Sequence, residues 1–209
     1  MEESQVWSPF LRSRPPAEIH TTVLACVEEA LTIINQVPSL MRTVAVLVRS
    51  LHLIKPEDED HDVSFSEPHV PFSIFVSVPN RRRPDDRWRI AEAVVHEAMH
   101  LQLTLIEQVI PLVKTTQGKF FSPWRGTYRP VQGVLHGVYV FRVVDSFLAQ
   151  LSPLGISSRY VKERRDAIDK QILDVQSLQD SPDLTKVGNL LIRRLIHTDT
   201  WLNINAPEL

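Results

Sequence analysis

Apolar residues recur at three- and four-residue steps along most of the chain, which is the spacing of helices that bury one face. Two such runs come first, PPAEIHTTVLACVEEALTIINQV and PSLMRTVAVLVRSLHLI, and each begins at a proline. Proline is favoured in the first turn of a helix. We therefore expect a helical N-terminal part over residues 16–54.

Two short runs after this part have a different pattern. VSFSEPHV and FSIFVSVP combine β-branched and aromatic residues and are interrupted by prolines. This composition predicts two strands, and proline places one or both of them at the edge of a sheet.

Helical periodicity then returns from Trp88 to about Val109, after the polar turn NRRRPDD. A loop rich in glycine, proline and aromatic residues follows, KTTQGKFFSPWRGTYRPVQG, and leads into the apolar helix VLHGVYVFRVVDSFLAQL. Two further amphipathic segments lie near 158–179 and 183–197.

These elements predict a mainly α fold of the α+β class, with a short two-stranded β element. At 209 residues and 43% apolar composition the chain can bury a substantial core, and we expect a single domain. Its parts would be the N-terminal helices, a central core over 63–150 and C-terminal helices over 158–197.

The charge balance excludes some functions. Twenty-three basic residues face 25 acidic ones, so no strong field attracts a nucleic acid or an anionic membrane. The stretch MEESQVWSPFLRSRPP has no apolar core, so we expect no signal peptide, and we expect no later apolar run to span a membrane. Its single cysteine, Cys26, forms no internal disulfide and suits a reducing compartment, so we expect a cytoplasmic protein. The oligomeric state stays open, and a homodimer is compatible with the sequence.

The stretch AEAVVHEAMHLQL indicates a metal site. His96 and His100 are four residues apart, so both project from one face of the helix, about 6 Å apart at the base. Glu97 is turned by about 100° from His96, which suits an acid or base beside the metal better than a ligand. The alternative is a pair of core histidines bonded to the backbone or to carboxylates.

A third ligand is needed, and His136 in GVLHGVYVF is the best candidate, because it lies on an apolar helix beside a glycine that allows close approach. Asp145 and Glu107 are the reserves. Arg125 and Arg129 come shortly before His136, and arginine suits bidentate recognition of a carboxylate. The alternative for these arginines is loop structure or a surface ion pair.

With Zn(II), the three ligands and Glu97 as general base would form a metallopeptidase. The extended peptidase pattern, with another histidine shortly downstream, is absent from HEAMHLQLTLIEQV. A peptidase stays possible, but the sequence lacks the residues that usually accompany the motif in peptidases.

Four blocks in order, SFSEPHVPFSIFVSVP, AEAVVHEAMHLQL, PLV and FFSPWRGTYRPVQGVLHGVYVF, resemble the HExxH-type, 2-oxoglutarate-dependent peptide β-hydroxylases. This family is also described as HExxH-motif peptide-modification proteins that act on ribosomally made, post-translationally modified peptides. The resemblance covers roughly residues 63–148, on a zincin-like HExxH helix.

The resemblance implies Fe(II) held by His96 and His100, 2-oxoglutarate and O2 as cosubstrates, and hydroxylation of a side-chain β-carbon in a ribosomal precursor peptide. Arg125 or Arg129 would then bind 2-oxoglutarate. Two alternatives stay open: the zinc-dependent HExxH metallopeptidase and a metal-free protein that only binds peptides.

Overall fold

The computed structural model describes residues 21–55, 62–67, 69–79, 83–114, 118–154 and 159–197. The helices in these ranges are α1 (Thr21–Asn35), α2 (Pro38–Leu47), α3 (Asp86–Glu107), α4 (Val131–Leu151), α5 (Arg159–Asp174) and α6 (Lys186–His197). The strands are β1 (Ser50–Ile54), β2 (Ser64–Ser66), β3 (Ser73–Ser77), β4 (Lys119–Ser122) and β5 (Thr127–Pro130). The predicted mainly α, α+β class is confirmed.

The two predicted strands form and pair with each other. VSFSEPHV contains β2 and FSIFVSVP contains β3, and the two run antiparallel, with Phe65 opposite Phe75. β3 is buried along its whole length and lies in the middle of a three-stranded sheet, because β1 pairs with its other edge in parallel. β2 is therefore an edge strand, as the prolines predicted for one of the two.

The second N-terminal helix is shorter than predicted. α2 ends at Leu47, and Val48 has an extended backbone, with φ −108° and ψ 107°. The amides of Arg49 and Ser50 then donate hydrogen bonds to the Phe72 carbonyl, at 2.7 and 3.2 Å. The prediction of helix as far as Ile54 was wrong, because the open edge of β3 offers this segment a full set of backbone partners. Residues 16–20 of that prediction lie outside the described residues.

α4 is the central helix. Every residue from Val134 to Leu148 is buried except His136, which is partly exposed. Among the described helices, α4 is the one long and apolar enough to cross a membrane, but 78% of its apolar window is buried inside the protein. It packs against α3, α5 and α6, so its apolar surface forms the core.

The glycine- and aromatic-rich loop contains a hairpin, β4 and β5, that packs on α4. Its turn depends on Gly126, which has φ +63° and donates its amide hydrogen to the Ser122 carbonyl at 2.8 Å. Beyond α4, α5 with a 3-10 turn at Gln176–Asp180 accounts for the segment predicted near 158–179, and α6 for that near 183–197.

Candidate metal centre

The two histidines of the HExxH motif face each other on α3. The Nε2 atoms of His96 and His100 are 3.1 Å apart, and the two rings meet at 69° with centroids 4.7 Å apart. One turn of helix separates the residues, so the pairing follows directly from their spacing. Both rings are partly buried.

Both histidines are held in the neutral form. Burial lowers the pKa of His96 to about 4, assisted by the positive charges of Arg164 and Arg125. Burial also lowers the pKa of His100 to about 3, assisted by His96 and His136 and then by Arg129 and Arg125. A neutral imidazole keeps a nitrogen lone pair, which is the form that binds a metal ion.

His136 lies on α4, directly opposite the motif. α3 and α4 are joined by the Tyr139 hydroxyl, which donates a hydrogen bond to Gln102 Oε1 at 2.6 Å. The His136 ring stacks on that of His100, with centroids 5.4 Å apart, and its Nδ1 is 3.2 Å from Nδ1 of His100. Its other nitrogen, Nε2, is 2.8 Å from Glu107 Oε2. The three histidines and Glu107 therefore form one continuous row.

The histidine pair fits a divalent metal ion. Two imidazole nitrogens 3.1 Å apart can bind one ion through bonds of about 2.1 Å. His136 does not face the gap between the two Nε2 atoms. The His100 ring lies between His136 and that gap, with Nδ1 toward His136 and Nε2 toward His96. Across the described ranges, no three His, Cys, Asp or Glu side chains form a group arranged to hold a metal ion. His136 as the third ligand stays a prediction.

Glu97 is buried beside the pair, with 3% of its side chain exposed. Its Oε1 accepts a hydrogen bond from the Ser64 hydroxyl of β2 at 2.8 Å and is 3.9 Å from His96 Nε2. Burial raises the pKa of Glu97, and hydrogen bonds from Ser64 and Ser66 oppose that rise. The carboxyl therefore lies next to the Nε2 atom of His96 and is fixed by the edge strand β2.

The two predicted arginines are exposed on the hairpin side of the site. The charge of Arg125 lowers the pKa values of His96, Glu97 and His100, whereas Arg129 contributes to that of His100. The guanidinium of Arg129 lies over Gly133, at the start of α4, 3.6 Å from where a Cβ would stand. The charge of Arg125 thus acts on all three titratable residues of the motif.

An aromatic wall borders His96 on the α4 side. Phe141 meets the His96 ring edge-on at 5.0 Å, and Trp124 stacks on Phe141 at 5.2 Å. The Trp124 ring rests against α4 at Gly137, where a Cβ would come within 2.7 Å of the ring. We predicted that the glycine after His136 allows a close approach, and the side chain that approaches Gly137 is Trp124.

The charged pair behind this wall was not among the predicted site residues. Arg164 of α5 lies over the Phe141 ring at 5.1 Å and pairs with Glu92, with 2.6 Å between Nη2 and Oε1. The Tyr160 hydroxyl also donates to Glu92, at 2.8 Å. Glu92 precedes His96 by one helical turn, so its face could have been predicted. Its partners, Tyr160 and Arg164, lie on α5, far along the chain, so residue spacing could not predict them.

The two reserve ligands differ in position. Glu107 belongs to the site, where it accepts hydrogen bonds from His136 and from Gln132 Nε2, the latter at 2.9 Å. Asp145 lies nine residues beyond His136 on α4, roughly 13 Å along the helix. Its carboxylate pairs with Arg165 and Arg142. Asp145 therefore belongs to a different cluster.

No family model and no curated protein matches the sequence. The HExxH motif and the geometry of the histidine site are therefore the features of this chain that point to a function.

Proposed function

We propose that the protein is an Fe(II)- and 2-oxoglutarate-dependent oxygenase that hydroxylates a side-chain β-carbon of a ribosomally made precursor peptide. The observation that carries the proposal is a pair of neutral imidazoles with Nε2 atoms 3.1 Å apart, under the charge of an exposed arginine. A reducing cytoplasm would suit both Fe(II) and the single buried cysteine.

His96 and His100 would hold the iron, and His136 is the proposed third ligand. Imidazole nitrogens suit Fe(II) as well as Zn(II), and three protein ligands leave positions free for a chelating cosubstrate. When bound, Fe(II) with 2-oxoglutarate and O2 supplies the oxidant that converts a C–H bond to C–OH, with release of succinate and CO2. The chain's own residues bind, orient and shield these groups.

Arg125 is the proposed partner of the distal carboxylate of 2-oxoglutarate. A guanidinium binds a carboxylate through two parallel charge-assisted hydrogen bonds. Arg125 influences all three residues of the motif, whereas Arg129 is laid against Gly133. Arg129 is therefore the second choice and the natural control.

The peptide would add to the free edge of β2. In the described part of the chain both edges of β3 are paired, so β3 itself accepts no further strand. β2 carries Ser64, whose hydroxyl donates a hydrogen bond to Glu97, so a peptide paired with β2 would lie near the HExxH motif. Strand addition supplies main-chain hydrogen bonds without a demand on side chains. The exposed rings of Phe121 and Tyr128 on the hairpin would contact side chains of the peptide.

Glu97 favours a second candidate, a zinc-dependent metallopeptidase. A buried carboxyl with a raised pKa, 3.9 Å from His96 Nε2, is also suited to take a proton from a water at the metal. In the oxygenase, Glu97 would only orient a ligand or water through its hydrogen bonds, and its loss would cost roughly 10–100-fold. A peptidase would depend on Glu97 for the chemical step itself.

The test is anaerobic titration of metal-free protein with Fe(II), with and without 2-oxoglutarate, followed by the weak visible charge-transfer band of an iron-bound 2-oxo acid. We expect the band in the wild type and its loss in His96→Ala. Arg125→Ala should weaken 2-oxoglutarate binding roughly 10–100-fold, as for a lost hydrogen bond to a charged group, and Arg129→Ala should change it little. Tight Zn(II) binding with no band would reject the oxygenase in favour of the peptidase.

A further inference from the structure

Glu107 ends α3 two helical turns beyond His100, yet it reaches the site through His136. Its Oε2 atom accepts two hydrogen bonds, from His136 Nε2 at 2.8 Å and from Gln132 Nε2 at 2.9 Å. The Glu107 side chain is 12% exposed and that of His136 is 13% exposed. Such shielded contacts hold both partners more firmly than surface pairs do.

This contact decides which nitrogen of His136 carries hydrogen. A carboxylate accepts and does not donate, so a hydrogen is on His136 Nε2; with one hydrogen on the ring, the lone pair is on Nδ1. That lone pair faces Nδ1 of His100 across 3.2 Å. Two lone pairs would repel at this distance, so His100 carries its hydrogen on Nδ1.

The position of this hydrogen decides which nitrogen of His100 can bind a metal. With hydrogen on Nδ1, His100 keeps its lone pair on Nε2, the atom 3.1 Å from His96 Nε2. The opposite tautomer would place hydrogen on Nε2 and block it as a ligand. A histidine ligand usually donates its second N–H to a carboxylate or carbonyl. Here the acceptor of His100 is a second histidine, which is itself fixed by a carboxylate.

We propose that Glu107 is a positioning residue of the metal site, which acts through His136 to present the Nε2 lone pair of His100 to the metal. Gln132 holds the Glu107 carboxylate in place. The proposal rests on the proposed function insofar as that function puts a metal on His96 and His100. If His136 itself binds the metal through Nδ1, Glu107 still fixes the hydrogen on His136 Nε2, and its positioning effect then falls on His136 instead of His100.

Metal titration in a double-mutant cycle tests this role. Co(II) would be titrated into wild type, Glu107→Ala, His136→Ala and the double variant, with the exposed Glu28→Ala as a charge-matched control. We expect Glu107→Ala to weaken Co(II) binding roughly 10–100-fold, Gln132→Ala to weaken it less and Glu28→Ala to leave it unchanged. With His136 already replaced, Glu107→Ala should have no further effect. An equal loss in both backgrounds would overturn the proposal.

Nitrogen-15 NMR of the histidine rings in metal-free protein provides a second readout, which a merely structural role would not move. We expect hydrogen on Nε2 of His136 and on Nδ1 of His100 in the wild type. Glu107→Ala should mix the two tautomers, and Glu107→Gln should restore them, because its amide oxygen can still accept. Unchanged tautomers in folded Glu107→Ala would also overturn the proposal. Co(II) binding that survives His96→Ala would instead reject the metal site of the proposed function and leave the tautomer test intact.

Discussion

Two polar clusters are buried along α4, and they satisfy their polar atoms in different ways. Toward the end of the helix, Asp145 accepts hydrogen bonds from Arg165 at 2.8 Å and from Arg142 at 3.4 Å. Arg142 also donates to the Leu195 carbonyl at 2.8 Å. We call this the arginine cluster. Its two arginines face Asp145 and the more exposed Asp169, so two positive charges meet two negative ones.

The cluster at the start of α4 consists of three histidines and one carboxylate, Glu107. Two of its rings, His96 and His100, are neutral, and their Nε2 atoms face each other at 3.1 Å. Only one of two facing nitrogens can carry the hydrogen between them, so a lone pair always points into the gap. The arginine cluster is closed by its own ion pairs, whereas the lone pair of the histidine cluster is suited to bind a cation. The contrast separates a structural cluster from a candidate binding site.

The largest expected effect concerns the arginine cluster. Asp145→Ala removes the buried carboxylate beside Arg142, whose side chain is 6% exposed, and leaves that charge with the exposed Asp169 as its acidic partner. We expect a loss of about 3–5 kcal/mol in the free energy of unfolding, measured by urea denaturation. The control is Asp169→Ala, since Asp169 contacts the same arginine but is 56% exposed and should contribute at most about 1 kcal/mol. Equal losses would mean that the cluster is not closed as described.

His96→Ala, in contrast, should affect metal binding far more than the free energy of unfolding. Removal of a ligand should weaken Co(II) or Zn(II) binding by more than the roughly 10–100-fold typical of a residue that only supports a ligand. The unfolding free energy of the metal-free protein should not fall as in Asp145→Ala, because the lost ring is neutral and 22% exposed. Isothermal titration with metal, paired with urea denaturation, checks both. Metal binding as tight as in the wild type would mean that the histidine cluster is not the metal site.

Gly137→Ala tests whether the aromatic wall shapes the histidine cluster. The added Cβ would stand 2.7 Å from the Trp124 ring, so the ring must leave its place against Phe141. We expect a destabilisation of about 1–3 kcal/mol, the range for overpacked sites, and a changed tryptophan fluorescence spectrum. Gly133→Ala is the matched control on the same helix, because its Cβ would be no closer than 3.6 Å to the Arg129 guanidinium.

The pH dependence of stability should have opposite signs in the two clusters. For His96 and His100 the folded pKa values, about 4 and about 3, lie below the ordinary histidine value of 6.5. Between pH 6.5 and these lower values the unfolded chain binds more protons than the folded protein. The metal-free protein therefore loses stability as pH falls from 6.5 toward 4. Each histidine contributes at most about 1.4 kcal/mol per pH unit.

Asp145 works in the other direction. Burial raises its pKa, so the folded state binds the proton more readily and acidification toward that pKa favours folding. Urea denaturation between pH 7 and pH 4 would separate the two contributions. His96→Ala should flatten the acid-induced loss, and a profile identical to that of the wild type would contradict the assignment of the shift to the motif.

The helices and the motif were predictable because their signals are local. Apolar periodicity located α1, α3 and α4, and the four-residue spacing alone put His96 and His100 on one face. β1 was missed because SLHLI also fits the end of a helix, and its strand conformation depends on pairing with β3. A short apolar run does not by itself distinguish the two.

The composition of the histidine cluster was also predictable in part. His136 and Glu107 were both candidates on chemical grounds, yet their roles depend on which nitrogen faces which neighbour. Spacing along one helix says nothing about the rotation of a ring on another. The Glu92–Arg164 pair joins residues far apart in the chain and has no local signature.

The sequence by itself determined a mainly helical α+β protein with two histidines of one helix aimed at a common point, because helical geometry converts a four-residue spacing into a shared face. Tertiary structure alone decided what surrounds that point. The packing of α4 against α3 turns Nδ1 of His136 toward His100 and Nε2 toward Glu107, while β2 fixes Glu97 and α5 brings Arg164 to the wall. These contacts depend on distances between elements, which are set by the packing of side chains remote in sequence.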